Sequence, residues 1–271
     1  MFNYSIGMFA DSEKIKLSYE IFSTIICFVG IWTNYVIIRT ILKNKSMRTP
    51  TNSYISNWAI YDLLYLIFVP VNFLLEATVE GDEVICVFKD IEGNLEFATI
   101  LLITIFLFDY FISSNYRKFL TASWMLIVVI SIASIINCTV GDPHINFPEI
   151  MSSVGYGILF VVFIGKLISY NLNSEQQNDS NYRLRLAVAF TYVFSWIFKW
   201  FFLYIAYGSE NKLYGLLSWH ANIIGFTNSI FNVFVLTLLN KQFYTNLFKM
   251  LHCRAELALP SDNDRGTQLN Q

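Results

Sequence analysis

Reactive side chains are scattered along this chain instead of being grouped. Its four cysteines and three histidines match no zinc-site spacing, and no nucleophile lies in a recognisable set with a general base. We therefore expect no enzyme active site and no metal cluster. The chemistry open to the chain is that of ion pairs and hydrogen bonds, formed by isolated polar residues in apolar surroundings.

Five polar residues lie near the middle of long apolar runs. They are Asn34 in GIWTNYVII, Asp62 in NWAIYDLLYLIF, and Asn228, Ser229 and Asn232 in NSIFNVFVL. Buried polar groups require hydrogen-bonding partners, and Asn228 and Asn232 share a helix face because they are four residues apart. The set predicts either hydrogen bonds that join helices or a site for a sodium ion or a water network.

A second polar set precedes and interrupts other apolar segments. Glu92 and Glu96 are spaced to share one helix face, Lys199 lies inside the aromatic run FSWIFKWFFLY, and His220 begins a later apolar run. One interpretation is a glutamate–lysine pair that lines a water-filled pocket. The other is that the glutamates reach an aqueous interface and that Lys199 extends its ammonium to the same interface.

The composition identifies the surroundings of these residues as a membrane. Of the 271 residues, 55% are apolar and 14% are charged, and the mean hydropathy is +0.48. A typical soluble domain has about 25% charged residues, and one of this length could not bury so much apolar surface. The net charge of −2 gives no basic field for a nucleic acid. These values exclude soluble enzymes and nucleic-acid binders and favour a protein that crosses the membrane several times.

Seven segments are long and apolar enough to span a bilayer, which requires about 20 residues. They are 17–42, 53–75, 95–114, 119–137, 150–170, 186–207 and 213–239, and the third is expected to start near Cys86 with a polar first part. The predicted fold class is an all-α integral membrane protein, a seven-transmembrane helix bundle with a short amphipathic helix after it.

The segments define four regions of the chain. Residues 1–16 are predicted to be an extracellular N-terminus and 17–239 the transmembrane domain. Residues 240–253 form a predicted membrane-surface helix, because Phe243, Leu247, Phe248 and Leu251 recur at helical spacing. Residues 254–271 are a predicted cytoplasmic tail. Cys253 is either a palmitoylation site that anchors the surface helix or a free cysteine.

The basic residues predict the orientation, because cytoplasmic loops are enriched in lysine and arginine. An extracellular N-terminus at the plasma membrane places most of the 18 basic residues inside. The glycosylation sequons at Asn3 and Asn137 then face outward. Cys86 and Cys138 fall at outer ends of spans, in an oxidising compartment, where a disulfide would close a loop of about 50 residues.

These residues, in this order, resemble the rhodopsin-like (class A) G-protein-coupled receptors, of which the chain would be a divergent member. Asn34 is similar to the marker asparagine of span one, Asp62 to the sodium-site aspartate of span two, and Trp196 to the toggle tryptophan of span six. Cys86 matches the cysteine that opens span three. The segment from Asn228, NSIFNVFVLTLLNKQFYTNLFKMLHC, resembles the end of span seven followed by helix eight and its terminal cysteine.

The likeness has gaps at positions that the family uses for signalling. The arginine of the Asp-Arg-Tyr motif is replaced by Phe111 when counted from Cys86, or by Asp109 or Tyr110 when aligned on the flanking residues. The Asn-Pro-x-x-Tyr motif has become Asn232-Val-Phe-Val-Leu. Because spans five, six and seven lack proline, we expect spans six and seven to be straighter and stiffer than in the family.

The resemblance implies a cell-surface receptor and not an enzyme. The expected partners are the lipid bilayer, an extracellular ligand that could be a peptide, and a heterotrimeric G protein; the expected cofactors are none or a sodium ion. The ligand-binding candidates are Glu92, Glu96, Trp196, Lys199 and His220. Family members that bind amines have an aspartate where this chain has Gly93, which argues against a monoamine. The alternative is a non-signalling decoy or a seven-helix protein that modulates another receptor.

Overall fold

A computed structural model describes residues 3–79, 82–108, 116–140, 147–208 and 212–258. These residues form helices joined by short connections, and no strand occurs among them. The helices are α1 (Asn3–Lys43), α2 (Pro50–Thr78), α3 (Asp82–Phe106), α4 (Tyr116–Val140), α5 (Phe147–Leu172), α6 (Ser174–Asn178), α7 (Ser180–Gly208), α8 (Lys212–Phe226), α9 (Asn228–Leu239) and α10 (Lys241–Ala258).

Local sequence signals explain several helix ends. The Thr49 side chain accepts a hydrogen bond from the backbone N–H of Asn52 at 3.2 Å, and Pro50 occupies the first turn of α2. Asn240 ends α9, and its side-chain oxygen accepts a hydrogen bond from the backbone N–H of Phe243 at 3.0 Å, which starts α10. One asparagine thus separates the last apolar helix of the bundle from the helix that follows.

Six stretches of the described helices are long and apolar enough to cross a membrane. They are Lys16–Lys43, Pro50–Thr78, Tyr116–Thr139, Pro148–Leu172, Ser180–Ile205 and His220–Leu239. The bundle also presents large apolar side chains outward: Phe28 is 64% exposed, Met125 is 61% exposed and Val161 is 70% exposed. Apolar surface on this scale requires lipid or another apolar partner. The chain is therefore a helical protein that crosses the membrane several times.

The helix α3 corresponds to the predicted third span, but its first half is too charged to meet the same standard of length and apolarity. It carries Lys89, Asp90, Glu92 and Glu96 before its apolar second half. It nevertheless packs against α2, α4 and α5, and it also touches α7. Asp90 and Glu96 are buried, so this helix directs acidic side chains into the protein.

The helices close into a ring. Along it, α1 packs against α2, α2 against α3, α3 against α5, α5 against α7, and α7 against α8 and α9, which return to α1. The helix α4 packs chiefly on α3 and also contacts α2. Contacts such as Lys16 with Glu76 and Glu76 with Lys89 bring the N-terminal half of α1, the end of α2 and the first half of α3 together at one end of the ring.

Spans six and seven differ from each other in continuity. The helix α7 is uninterrupted, which agrees with the absence of proline in it. Span seven is divided at Thr227 into α8 and α9, although it also lacks proline. The Thr227 hydroxyl donates to the carbonyl oxygen of Ile224 at 2.6 Å, and its N–H bonds the same oxygen at 3.2 Å. Span seven thus has one irregular turn, which local hydrogen bonding at a threonine produces without a proline, and the expectation that it is stiffer than in the family stays a prediction.

Some predicted features lie outside the described residues. The position of the missing arginine, at Asp109, Tyr110 or Phe111, falls in the stretch 109–115, and the end of the tail falls in 259–271. The side chains of Asn3 and Cys253 are likewise outside the described part, although their backbones lie in α1 and α10. Asn137 lies in the last turn of α4, one residue before Cys138.

Candidate functional site

The Asp62 carboxylate joins three helices. Its Oδ2 accepts a hydrogen bond from the side-chain amide of Asn34 in α1 at 2.7 Å, and another from the hydroxyl of Ser229 in α9. All three residues are buried, and Asn34 is fully inaccessible. Three of the five predicted polar residues therefore meet, and we call the group with Asn228 and Asn232 the Asp62 core.

Several polar atoms of the Asp62 core have no hydrogen-bond partner. They are the side-chain oxygen of Asn34, both side-chain polar atoms of Asn228 and the side-chain nitrogen of Asn232. The oxygen of Asn232 accepts a hydrogen bond from the Thr191 hydroxyl in α7 at 2.8 Å. A carboxylate beside amide oxygens that accept no hydrogen bond is suited to bind a hard cation or an ordered water. The cation supplies positive charge to these oxygens, and the water supplies hydrogen-bond donors.

Close packing holds the Asp62 core together. A Cβ atom added at Gly30 in α1 would lie 2.7 Å from the Cδ1 atom of Leu66 and 3.4 Å from the Cβ atom of Ser229. A larger residue would have to displace the end of the Leu66 side chain at this contact between α1 and α2. The glycine thus permits the approach that lets Asn34 reach Asp62.

A charged cavity of about 560 Å³ opens at the end of the ring where Lys16 of α1 contacts Glu76 of α2. This volume lies within the usual range for small-molecule sites, about 300–1,000 Å³. Its lining comprises Lys16, Tyr19, Glu20, Asn72, Phe73, Glu76, Lys89, Glu92, Gly93, Glu96, Glu149, Lys199, Leu203 and Asn222. Residues from α1, α2, α3, α5, α7 and α8 contribute, so the helical ring itself forms the cavity.

The deepest charged contact joins α3 to α7. The Lys199 ammonium lies 2.5 Å from the Glu96 Oε1 atom, and the two side chains are only 12% and 8% exposed. The same ammonium lies 4.7 Å from the ring centroids of both Trp196 and Trp200. Two aromatic faces and a carboxylate thus compensate for the loss of water around a buried cation.

The second predicted glutamate occupies a different environment. The side-chain amide of Asn72 in α2 donates a hydrogen bond to Glu92 Oε2. Among the described residues, no lysine or arginine forms an ion pair with Glu92, and the Asn72 oxygen has no hydrogen-bond partner. Glu92 and Asn72 therefore form a polar pair on the cavity wall, and the Asn72 oxygen remains as an acceptor without a donor.

Ion pairs surround the mouth of the cavity. Glu76 lies 2.8 Å from the Lys89 ammonium and 3.3 Å from that of Lys16, which also lies 3.6 Å from Glu20. These side chains are more exposed than Glu96 and Lys199, so each pair contributes little to stability, about 0–1 kcal/mol. Their arrangement still defines a network that joins α1, α2 and α3.

The remaining predicted ligand residues adjoin the cavity without lining it. Trp196 is buried beneath the Lys199 ammonium, and His220 is exposed, with its ring 6.1 Å from that of Tyr19. Tyr19 lines the cavity and accepts a hydrogen bond from Asn222 at 3.3 Å. Of the five predicted residues, Glu92, Glu96 and Lys199 line the cavity directly.

Two features near the cavity bear on its chemistry. Cys86 in α3 and Cys138 in α4 form a disulfide, with an S–S distance of 2.08 Å. The two sulfurs are therefore not available to bind a metal ion together with the nearby Asp90 carboxylate.

A Cβ atom at Gly93 would lie 2.7 Å from the Cβ atom of Pro148. The position where amine receptors have an aspartate therefore has no room for one.

Sequence reasoning missed much of the cavity lining, including Asn72, Glu76 and Asn222. Asn72 carried a usable signal, since it is an amide inside the predicted second span and one face of α2 must turn inward. Glu76 lies just past the predicted end of that span, where a charged residue is expected to face the lipid headgroups. The structure shows instead that Glu76 forms an ion pair with Lys89 of the next helix, α3, and lines the cavity.

The comparisons with known proteins give a partial likeness. No family model matches the chain. Somatostatin receptor type 2 of Mus musculus is 27% identical over 145 residues, which cover 47% of this chain and 39% of the receptor. The receptor of the same name in Sus scrofa is 26% identical over 145 residues, with the same coverage. The matched stretch thus spans about two-fifths of the length of these curated relatives. This partial similarity, to receptors and not to enzymes, supports a relationship between the chain and the G-protein-coupled receptors.

Proposed function

We propose that the chain is a divergent rhodopsin-like receptor of the plasma membrane, with seven transmembrane helices and a surface helix after them. The charged cavity is the observation that carries this proposal. It would be the site of an extracellular ligand, with Glu92, Glu96 and Lys199 on its wall and with Trp196 and His220 next to it.

The seven-span arrangement counts α3 as a span despite its charges. The support is its position: α3 packs among α2, α4, α5 and α7, where Asp90 is buried and Glu92 and Glu96 line the cavity. Intramembrane charges are tolerated in such places. With α3 included, α8 and α9 complete span seven, and α10 becomes the surface helix, with Phe243 buried and Lys241 exposed.

The proposed orientation opens the cavity to the outside. Arg39 near the end of α1 and Arg183 near the start of α7 lie at the ends of these helices away from their cavity residues. Lys45 follows the same end of α1, Lys241 follows the end of α9, and Arg117 lies at the end of α4 away from Cys138. Basic residues favour the cytoplasm. The disulfide then lies on the oxidising side, as its stability requires. Glycosylation at Asn3 and Asn137, and palmitoylation of Cys253, remain proposals that follow from this orientation.

The Asp62 core would act as a relay beneath the cavity. Asp62, Asn34 and Asn228 offer the oxygen atoms that a sodium ion needs, and when bound the ion would neutralise the buried carboxylate. The residues themselves link α1, α2 and α9, so a ligand that prefers one arrangement of these helices would shift the equilibrium between arrangements.

The ligand class follows from the partial likeness and from the cavity. The curated relatives are named for somatostatin, and Gly93 leaves no room for the aspartate of amine receptors. We propose a peptide ligand. Coupling to a G protein is the proposed output, and a decoy or modulatory role is the second candidate, favoured by the missing arginine in 109–115 and the missing proline and tyrosine after Asn232.

A direct-binding peptide screen on intact cells tests the receptor role without presuming a G protein. We expect a saturable ligand whose affinity falls in Glu96→Ala and in Lys199→Ala, with the double variant no worse than either one, because the two side chains act as a pair. Glu83→Ala, which changes an exposed glutamate outside the cavity, is the matched control. Additive small losses, or binding indifferent to both residues, would argue against the cavity as the ligand site.

A second experiment separates signalling from decoy function. Cells that express the wild type with a panel of G proteins should change their second-messenger level, and deletion of the chain after Leu239 should abolish the change. Phe111→Arg and Asp109→Arg test whether restoring the arginine strengthens coupling. If ligand binds but neither wild type nor these variants couple, the decoy role is the correct one.

A further inference from the structure

The charged cavity has more carboxylates than ammonium groups. Five glutamates and three lysines line it. Each of the three lysines is already held by a glutamate, since Lys16 and Lys89 contact Glu76 and Lys199 contacts Glu96. Glu92, by contrast, contacts none of these lysines. A ligand that enters beside Glu92 therefore meets a carboxylate without a lysine, and a cationic group on that ligand is favoured over an anionic one.

Glu92 and Asn72 provide a specific place for such a group. The Asn72 amide nitrogen donates to Glu92 Oε2, which orients the two side chains and leaves Glu92 Oε1 and the Asn72 oxygen as acceptors. Asn72 is only 3% exposed, yet its oxygen has no hydrogen-bond partner, and it lines the cavity. A buried acceptor without a donor is costly, so this pair is suited to receive N–H groups from a ligand.

We propose that the ligand is anchored by a guanidinium or ammonium group, such as an arginine or lysine side chain of a peptide, bound between the Glu92 carboxylate and the Asn72 oxygen. This inference rests on the proposed receptor function and adds the chemistry of the anchoring group. A planar guanidinium with several donors suits two neighbouring acceptors better than a single point charge does.

Glu96 and Lys199 have a different role in this arrangement. They neutralise each other beneath the anchoring site, with Trp196 and Trp200 packed against the ammonium. They shape the floor of the cavity, whereas Glu92 supplies the charge that a cationic ligand neutralises. The aromatic ring of Phe73 and the side chain of Leu203 offer apolar surface for the rest of the ligand.

The test uses small probes with the purified full-length protein in detergent. Thermal unfolding is followed at increasing concentrations of Nα-acetyl-argininamide and of its neutral isostere, Nα-acetyl-citrullinamide. We expect the arginine probe to stabilise the wild type at a concentration at least about tenfold lower than the citrulline probe, because a charge-assisted hydrogen bond forms only with the cation. Glu92→Gln should abolish this preference, whereas Glu83→Gln, on an exposed residue of the same helix, should keep it.

Two further measurements make the outcome decisive. Glu92→Asp retains the charge and should retain the preference for the arginine probe, even if Glu92→Gln lowers the stability of the unliganded protein. Equal stabilisation of the wild type by both probes, or a preference that survives Glu92→Gln, would overturn the proposal. If the peptide screen meanwhile yields a ligand that depends on Glu96 and Lys199 but not on Glu92, the receptor role stands and only the cationic anchor is wrong.

Discussion

At the residue scale, buried charges determine what this membrane protein can do. Lys199 and Glu96 compensate each other at 2.5 Å, whereas Asp62 is satisfied by the neutral donors of Asn34 and Ser229. The first pair links α3 to α7, and the second group links α1, α2 and α9. Two kinds of buried polar contact therefore join different helices of the same bundle.

Removal of one partner from the Lys199–Glu96 pair should destabilise the protein strongly. A buried charge without its partner costs about 3–5 kcal/mol, so Lys199→Met and Glu96→Gln should each lower the melting temperature by roughly 6–20 °C. The double variant should lose less than the sum of the two, because it leaves no unpaired charge. Thermal unfolding in detergent measures all three. Strict additivity would mean that the two side chains do not depend on each other.

Asp62→Asn should remove any dependence of ligand affinity on sodium. The substitution keeps the shape of the side chain but removes the charge that would attract the cation. Binding measured in sodium chloride and in choline chloride at equal ionic strength gives the comparison. Gln242→Ala, on the exposed side of α10, is a control that should behave like the wild type. A sodium effect that persists in Asp62→Asn would place the ion elsewhere.

At the element scale, glycines set how closely the helices approach. A Cβ atom at Gly225 in α8 would lie 2.6 Å from the ring of Trp196 in α7. Trp196 also packs edge-on against Phe226 and lies beneath Lys199. The contact between α7 and α8 therefore supports the floor of the charged cavity.

Gly225→Ala should disturb that floor. The extra methyl group must displace a buried tryptophan ring, which costs about 1–3 kcal/mol, and it should also weaken ligand binding. Gly165→Ala in α5 is the matched control, because a Cβ atom there meets nothing within 4 Å. Its expected effect is a gain of about 0.5–1 kcal/mol from the lower entropy of the unfolded chain. If both variants had equal stability and affinity, the packing argument would be wrong.

The sequence predicted where the long helices lie, but it did not predict the irregular turn and the short helix between them. Apolar length located the long helices, because a bilayer imposes one simple requirement on each of them. It did not reveal the break at Thr227, since threonine is common within helices that cross membranes and only its hydrogen bond to Ile224 shows the turn. The polar stretch at 171–180, NLNSEQQNDS, has the composition of a loop but contains the helix Ser174–Asn178, which begins where the Asn173 side chain accepts from the N–H of Glu175.

Only part of the site was predictable, because the sequence does not show which faces of two helices meet. Glu96 and Lys199 stood out because a charge within an apolar run must find a partner. Glu92 and Asn72 could not be paired from the sequence, because their contact depends on the rotation of α2 against α3. Tyr19 and Asn222 come from opposite ends of the chain, and only closure of the ring brings them together.

At the scale of the whole molecule, the proposed receptor function depends on how the ring sits in the membrane. The basic ends of the helices lie opposite the charged cavity, and α3 completes the set of seven if its acidic face turns inward. An odd number of spans places the two termini on opposite sides. An even number would place both on one side and would contradict the count of seven that includes α3.

The most direct test is therefore the location of the two termini in intact cells. One epitope tag is placed before Met1 and another after Gln271, and antibody binding is measured before and after the plasma membrane is permeabilised. We expect the N-terminal tag to be accessible on intact cells and the C-terminal tag to be accessible only after permeabilisation. Two tags on the same side, or an N-terminal tag in the cytoplasm, would contradict the seven-helix receptor with an outward-facing cavity.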